Sequence, residues 1–173
     1  MDPGQPLPRL WLMTDERLGS GLGDAVARLP TGAGIVFRHY RLGEAERRAL
    51  FEAVKRAAPG PVLLGGPADL ALAWGADGSH GRHEGATSAP AHDLAEIRAA
   101  EAVGASLIFL SPVFATRSHP GASVLGAEGF ATLAGQTGLP VIALGGMNAA
   151  RAKGLSGAYG WAGIDAWASN RED

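Results

Sequence analysis

Leu139-Pro140-Val141-Ile142-Ala143-Leu144-Gly145-Gly146-Met147-Asn148 is a short apolar run after a proline that ends in paired glycines and opens into a helix-like segment. Val141, Ile142 and Leu144 suit a strand covered on both faces, the pattern of a parallel sheet. The two glycines remove side chains where the chain turns, so backbone N–H groups can approach a ligand closely. At the start of a helix such groups form an anion site, most often for phosphate. A tight strand-to-helix turn would ask for the same glycines. The balance is tipped by recurrence, because similar punctuation returns along the whole chain.

Working outward, strands are expected at residues 10–15, 34–40, 61–66, 76–81, 87–92 and 106–111, then in the Pro140 run, and last at 160–165. Between them the spacing predicts helices over 23–29, 44–58, 69–74, 94–103 and 128–135, with a short one from Asn148. The clearest is 44–58, where Ala45, Leu50, Phe51 and Val54 gather on one face and Glu46, Arg47, Glu52 and Lys55 on the rest. Eight strands alternating with helices argue for a parallel (β/α)₈ TIM barrel. Such barrels run to roughly 250 residues, so a chain of 173 is a shortened one. Only residues 82–86 separate strands four and five, too few for a crossover helix of about ten or more residues. The helix between strands four and five and the last helix are therefore expected to be reduced or missing. The whole of 1–173 reads as one domain, and the uncovered side suggests a second subunit, a homodimer.

Bulk properties narrow the function. A hydrophobic content of 46% with 18% charged residues is ordinary for a soluble globular protein. A net charge of −2 offers no electrostatic reason to expect nucleic acid or an acidic membrane. Without cysteine there is no disulfide, thiolate metal site or cysteine nucleophile. The first residues lack a basic stretch followed by an apolar core, and no apolar run has spanning length, so a cytoplasmic location is expected.

The order Thr14-Asp15, Phe37-Arg38, Ala76-Asp77-Gly78-x-His80, Ser111-Pro112-Val113-Phe114-x-Thr116, Leu125-Gly126 and Pro140 to Gly146 resembles thiamine-phosphate synthase and its relative thiazole tautomerase, from about Leu10 to Trp167. The resemblance implies a barrel whose site lies at the carboxyl ends of the strands. It also implies a reaction joining a pyrimidine pyrophosphate to a thiazole phosphate with Mg²⁺. Position by position, it gives Arg38 a bidentate hold on pyrophosphate and Thr116, Gly145 and Gly146 a role in binding phosphate, with Ser118 in the same loop. Where the family has lysines, this chain has Tyr40 and His119. The Asn-Asp pair after strand three, whose aspartate is a magnesium ligand in the family, is replaced by Gly65-Gly66. Glu84 is the one carboxylate near the second metal position, on a shortened loop, and a poor replacement. No metal site is therefore assigned, and Mg²⁺ is expected only if synthase activity is retained.

The family serine at the end of strand eight is Asp165. A carboxylate and a phosphate ~4 Å apart repel by ~4 kcal/mol per charge pair at an effective dielectric of 20, which spoils the phosphate pocket unless Asp165 turns away or is protonated. Pro112 takes the place of the tautomerase histidine, leaving His119 or His80 as the candidate general base. Two readings stand. One is an enzyme of thiamine biosynthesis, synthase or tautomerase. The other is a relative with a degenerate site and weak or no classical synthase activity that binds a small phosphorylated heterocycle.

Overall fold

The computed structural model describes residues 6–116, 121 and 123–168. Eight strands close a barrel in sequence order: β1 (Leu10–Met13), β2 (Gly34–Phe37), β3 (Val62–Gly65), β4 (Gly78–His80), β5 (Ser88–Ala91), β6 (Leu107–Leu110), β7 (Val141–Ala143) and β8 (Gly160–Gly163). All neighbours run parallel, and closure is made by Leu12 of β1 opposite Gly163 of β8. β2, β3 and β6 are buried along their whole length, as expected for strands covered on both sides.

Helices α1 (Leu22–Ala27), α2 (Glu44–Ala57), α3 (Ala68–Ala73), α4 (Leu94–Ala102), α5 (Gly126–Ala134) and α6 (Ala149–Ala152) form the outer layer. α4 is capped by Asp93, which accepts the Glu96 N–H at 2.9 Å, and α6 by Asn148, which accepts the Arg151 N–H at 2.9 Å. A 3₁₀ segment, Glu16–Gly21, precedes α1, a feature the spacing of apolar residues does not signal. After β8 the chain makes one turn through Ile164–Ala168, the Trp167 and Ala168 amides donating to Ile164 and Asp165. Among the described residues, no helix is long and apolar enough to cross a membrane.

The barrel interior is filled by large groups made possible by small ones. The Trp11 ring meets Phe109 edge to face, with centroids 5.4 Å apart. Gly34 leaves it room, since a Cβ there would collide with the indole. The expected gap between β4 and β5 is present, and residues 81–87 close it themselves. His83 Nε2 lies 2.8 Å from the Gly66 carbonyl, and the Gly81 amide donates to Ser88. Small outward side chains let this short loop suffice: Ser79 and Ala89 are buried. A second subunit on this side would therefore meet that loop rather than an open strand.

The expected face of α2 needs one correction. Ala45 is exposed, while Arg47, placed on the polar side by its charge, is buried beside Phe51 and Val54. Its guanidinium donates to the carbonyls of Arg38 (3.0 Å) and Gly65 (2.6 Å), and lies 5.4 Å from the Trp74 ring centre and 5.3 Å from that of Tyr40. Strand ends at β2 and β3 leave carbonyls that need donors, and a planar fork supplies them in a way a smaller side chain does not.

Candidate functional site

At the carboxyl ends of the strands lies a cavity of about 730 Å³, the position where barrel enzymes place their chemistry. Arg38, His80, Thr116, Gly145, Gly146 and Asp165 all line it, so six of the eight residues singled out in the sequence come together. Ser118 and His119 lie outside the described residues. Glu84 is exposed on the β4–β5 loop and is not part of the cavity wall.

Arg38 is built in from the end of β1. Thr14 accepts its backbone N–H through Oγ1 at 2.9 Å and its Nε–H through the carbonyl at 2.7 Å, and Asp15 accepts from Nη2 at 3.0 Å. Because Thr14 Oγ1 takes that amide proton, its own hydroxyl hydrogen is available to His39 Nδ1, 3.0 Å away. His39 is buried, and burial holds it below the usual histidine range, so it serves as a neutral acceptor. The Thr14-Asp15 and Phe37-Arg38 pieces of sequence thus form one unit that fixes a cation at the rim.

The Tyr40 and Gly65 departures are coupled. A Cβ on residue 65 would run into the Tyr40 hydroxyl. The phenol takes the space that a side chain at the end of β3 would need. It also sits on the cavity wall as a neutral group where the resemblance expects a cation. This tests directly whether the residues fit Mg²⁺. They do not: the β3 end carries Gly65-Gly66, Asp15 is committed to Arg38, and Glu84 points elsewhere. Among the described residues no group of three or more His, Asp or Glu side chains gathers to hold an ion.

The opposite wall comes from β7 and β8. Gly145 and Gly146 have φ of 93° and 61°, and a Cβ would fall 2.7 Å from Pro112 Cα in the first case and 2.5 Å from the Ala115 carbonyl in the second. Glycine is required here by the neighbouring loop. Val113 and Phe114 donate their amides to Leu144 (2.8 Å) and Gly145 (3.0 Å), and the Leu125 and Gly126 amides donate to Pro112 and Val113. The Pro112-to-Thr116, Leu125-Gly126 and Pro140-to-Gly146 motifs are therefore one hydrogen-bonded cluster. The tight-turn and ligand readings of Gly-Gly both apply, since the pair also faces the cavity. The amides of Gly145 and Gly146, and that of Ala166 in the turn after β8, have no acceptor among the described residues. Donors of this kind after strands seven and eight are where barrels commonly hold phosphate.

Asp165 lines this wall and is paired. Arg17 Nη2 lies 3.7 Å from its Oδ1, and the same guanidinium is 3.7 Å from Asp15. The repulsion expected from a lone carboxylate is therefore offset by a cation that sequence reading missed. Arg17 is carried by the unforeseen 3₁₀ segment, so no periodic signal could have flagged it.

His80 is 6% exposed and sits edge to face with Phe109. Its Nδ1 is 2.9 Å from Ser88 Oγ. Burial, aided by the charges of Arg38, Arg82 and His83, pushes its pKa down to about 3. It meets the cavity as a neutral imidazole that does not become an acid near pH 7. His92 also lines the cavity, with its Nδ1 2.6 Å from Glu96 Oε2. The i, i+4 spacing across the Asp93 cap was the available signal for this pair. Trp161 and Trp167, bulky residues near the barrel end, are stacked on each other with centroids 5.1 Å apart, and neither lines the cavity.

Comparisons with known proteins agree with this geometry. The chain is 29% identical to the thiamine-phosphate synthase of Chloroflexus aurantiacus, over 91% of this chain and 84% of that one. Its fold matches the thiamine phosphate pyrophosphorylase of Pyrococcus furiosus with a TM-score of 0.75 at 25% identity, covering 95% and 89% of the two chains. The enzyme of the same name from Bacteroides thetaiotaomicron shares the fold at 15% identity, with a TM-score of 0.55 and coverage of 96% and 88%. A family model described as thiamine monophosphate synthase matches residues 13–167, and the chain belongs to that family.

Proposed function

We propose that the protein binds a small phosphorylated heterocycle at the ends of β7 and β8 and makes little or no thiamine phosphate by the classical synthase reaction. The observation that carries this is the coupled pair Tyr40 and Gly65, which puts a neutral phenol on the cavity wall where the resemblance expects a cation and leaves no carboxylate at the end of β3. On the other side, Gly145, Gly146 and Ala166 present backbone amides at the cavity that have no acceptor among the described residues. Arg17 neutralises Asp165, so a phosphate there meets a balanced pair rather than a bare anion. Met13, Leu144 and Ile164 supply the apolar wall on which a flat ring can lie. Chains of this family belong to a biosynthetic route, and we place the protein's work in the cytoplasm.

The test is turnover. Purified protein supplied with Mg²⁺, the pyrimidine pyrophosphate and the thiazole phosphate should form thiamine phosphate no faster than about a thousandth of the rate of a complete synthase, since each lost charge-stabilising group costs about 10²–10³ in rate. Robust turnover overturns the proposal.

A further inference from the structure

Arg17 and Arg38 both line the cavity, and their guanidinium groups are held very differently. Arg38 has spent Nε on the Thr14 carbonyl and Nη2 on Asp15. Among the described residues, no hydrogen bond holds the Arg17 side chain. Its Nε lies 3.7 Å from Asp15 Oδ1 and its Nη2 3.7 Å from Asp165 Oδ1, both beyond hydrogen-bond range.

The neighbouring carboxylates account for this. Asp15 is already occupied, because Oδ1 accepts the Arg17 backbone N–H at 3.1 Å and Oδ2 accepts from Arg38. Glu16 is turned to the Arg41 amide, which donates to it at 3.0 Å. The Arg17 and Asp165 side chains are 31% and 39% exposed, and an ion pair this long and this wet holds a side chain weakly. The backbone, by contrast, is fixed by the Asp15 cap at the start of the 3₁₀ segment. Arg17 is a charged arm on a fixed base.

The base stands in a telling place. The 3₁₀ segment follows β1, and β1 pairs with β8, so closure of the barrel brings Arg17 to the turn after β8. That turn carries the Ala166 amide, which has no acceptor among the described residues and lines the same cavity. An anion on this amide would lie one residue from the carboxylate that Arg17 already approaches. A guanidinium offers forked N–H donors that match two phosphate oxygens, and charge-assisted bonds of that kind outcompete a long, exposed carboxylate contact.

We infer that Arg17 is a direct ligand of the bound phosphate, turning from its long contacts with Asp15 and Asp165 to a forked pair of hydrogen bonds, and that it sets the preference of the cavity for a phosphate ester over the unphosphorylated alcohol. This role rests on the phosphate site proposed above, where Arg17 only balances Asp165; here it touches the ligand.

Calorimetry on the full chain compares thiazole phosphate with the corresponding thiazole alcohol in wild type, Arg17→Gln, Asp165→Asn and the double variant. Arg17→Gln should weaken phosphate binding at least about tenfold, the loss expected for charge-assisted hydrogen bonds, while alcohol binding changes less than about threefold. Its melting midpoint should move by less than about 4 °C, since only exposed ion pairs are lost. The double variant should bind the phosphate at least about tenfold more weakly than Asp165→Asn. Equal phosphate affinities in those two chains would make Arg17 a counterion of Asp165 alone and overturn the inference. A parallel loss of alcohol binding in Arg17→Gln would also overturn it, by making the role structural. A wild type that does not bind thiazole phosphate overturns the proposed phosphate site, and this role with it.

Discussion

Tyr40 and Gly65 show how two departures at distant positions become one physical change. Gly65→Ala should destabilise the fold by about 1–3 kcal/mol, the cost of overpacking a tight site, and Tyr40→Ala in the same chain should remove most of that cost. Urea denaturation of the two single variants and the double variant gives the coupling directly. Near-additive effects would mean that the phenol moves aside freely. His80 makes a second prediction, from its depressed folded pKa of about 3. The unfolded histidine takes up a proton near pH 6.5 while the folded one stays neutral, so its stabilising effect is complete above pH 6.5 and is lost as pH falls toward 3. At pH 5 the loss is about 2 kcal/mol. His80→Gln should flatten the fall between pH 7.5 and 5 in urea titrations, and an unchanged slope would contradict the assignment. His39, lowered in the same direction, leaves a smaller residual slope of the same sign.

At the level of elements, the loops after β6 and β7 behave as one unit, because the Val113 and Phe114 amides donate to Leu144 and Gly145. Gly146→Ala must place a side chain at φ 61° with its Cβ against the Ala115 carbonyl. A cost of about 2–4 kcal/mol is expected in chemical denaturation, together with weaker phosphate binding, because the cluster that shapes the cavity wall shifts. A stable variant with unaltered binding would show that the turn is less constrained than its packing implies. Elements were also the scale at which the sequence was most legible. Val141, Ile142 and Leu144, and the runs in β2, β3 and β6, are apolar without alternation because helices cover one face and the barrel interior the other. Arg47 was misplaced because its charge argued for solvent, whereas its fork is taken up by carbonyls of Arg38 and Gly65. Arg17 was illegible for a different reason. Its partner, Asp165, is chosen by how turns pack in three dimensions, and a 3₁₀ segment such as Glu16–Gly21 leaves no periodic trace.

For the whole molecule, eight strands of three or four residues suffice to close a barrel and keep a cavity of about 730 Å³ at its carboxyl end. Economy comes from residues 81–87 standing in for a crossover helix, with Ser79 and Ala89 small enough to be covered. The two sides of the cavity have diverged in chemistry. One retains backbone donors and a cation balancing Asp165, and the other has exchanged charge and metal-binding oxygen for Tyr40 and glycine. Calorimetry with the two substrates of the family reaction separates these sides most directly. Thiazole phosphate should bind with an affinity that does not change when Mg²⁺ is added, and the pyrimidine pyrophosphate should gain nothing from the ion. Tight binding of the pyrimidine pyrophosphate that appears only with Mg²⁺ would contradict the account.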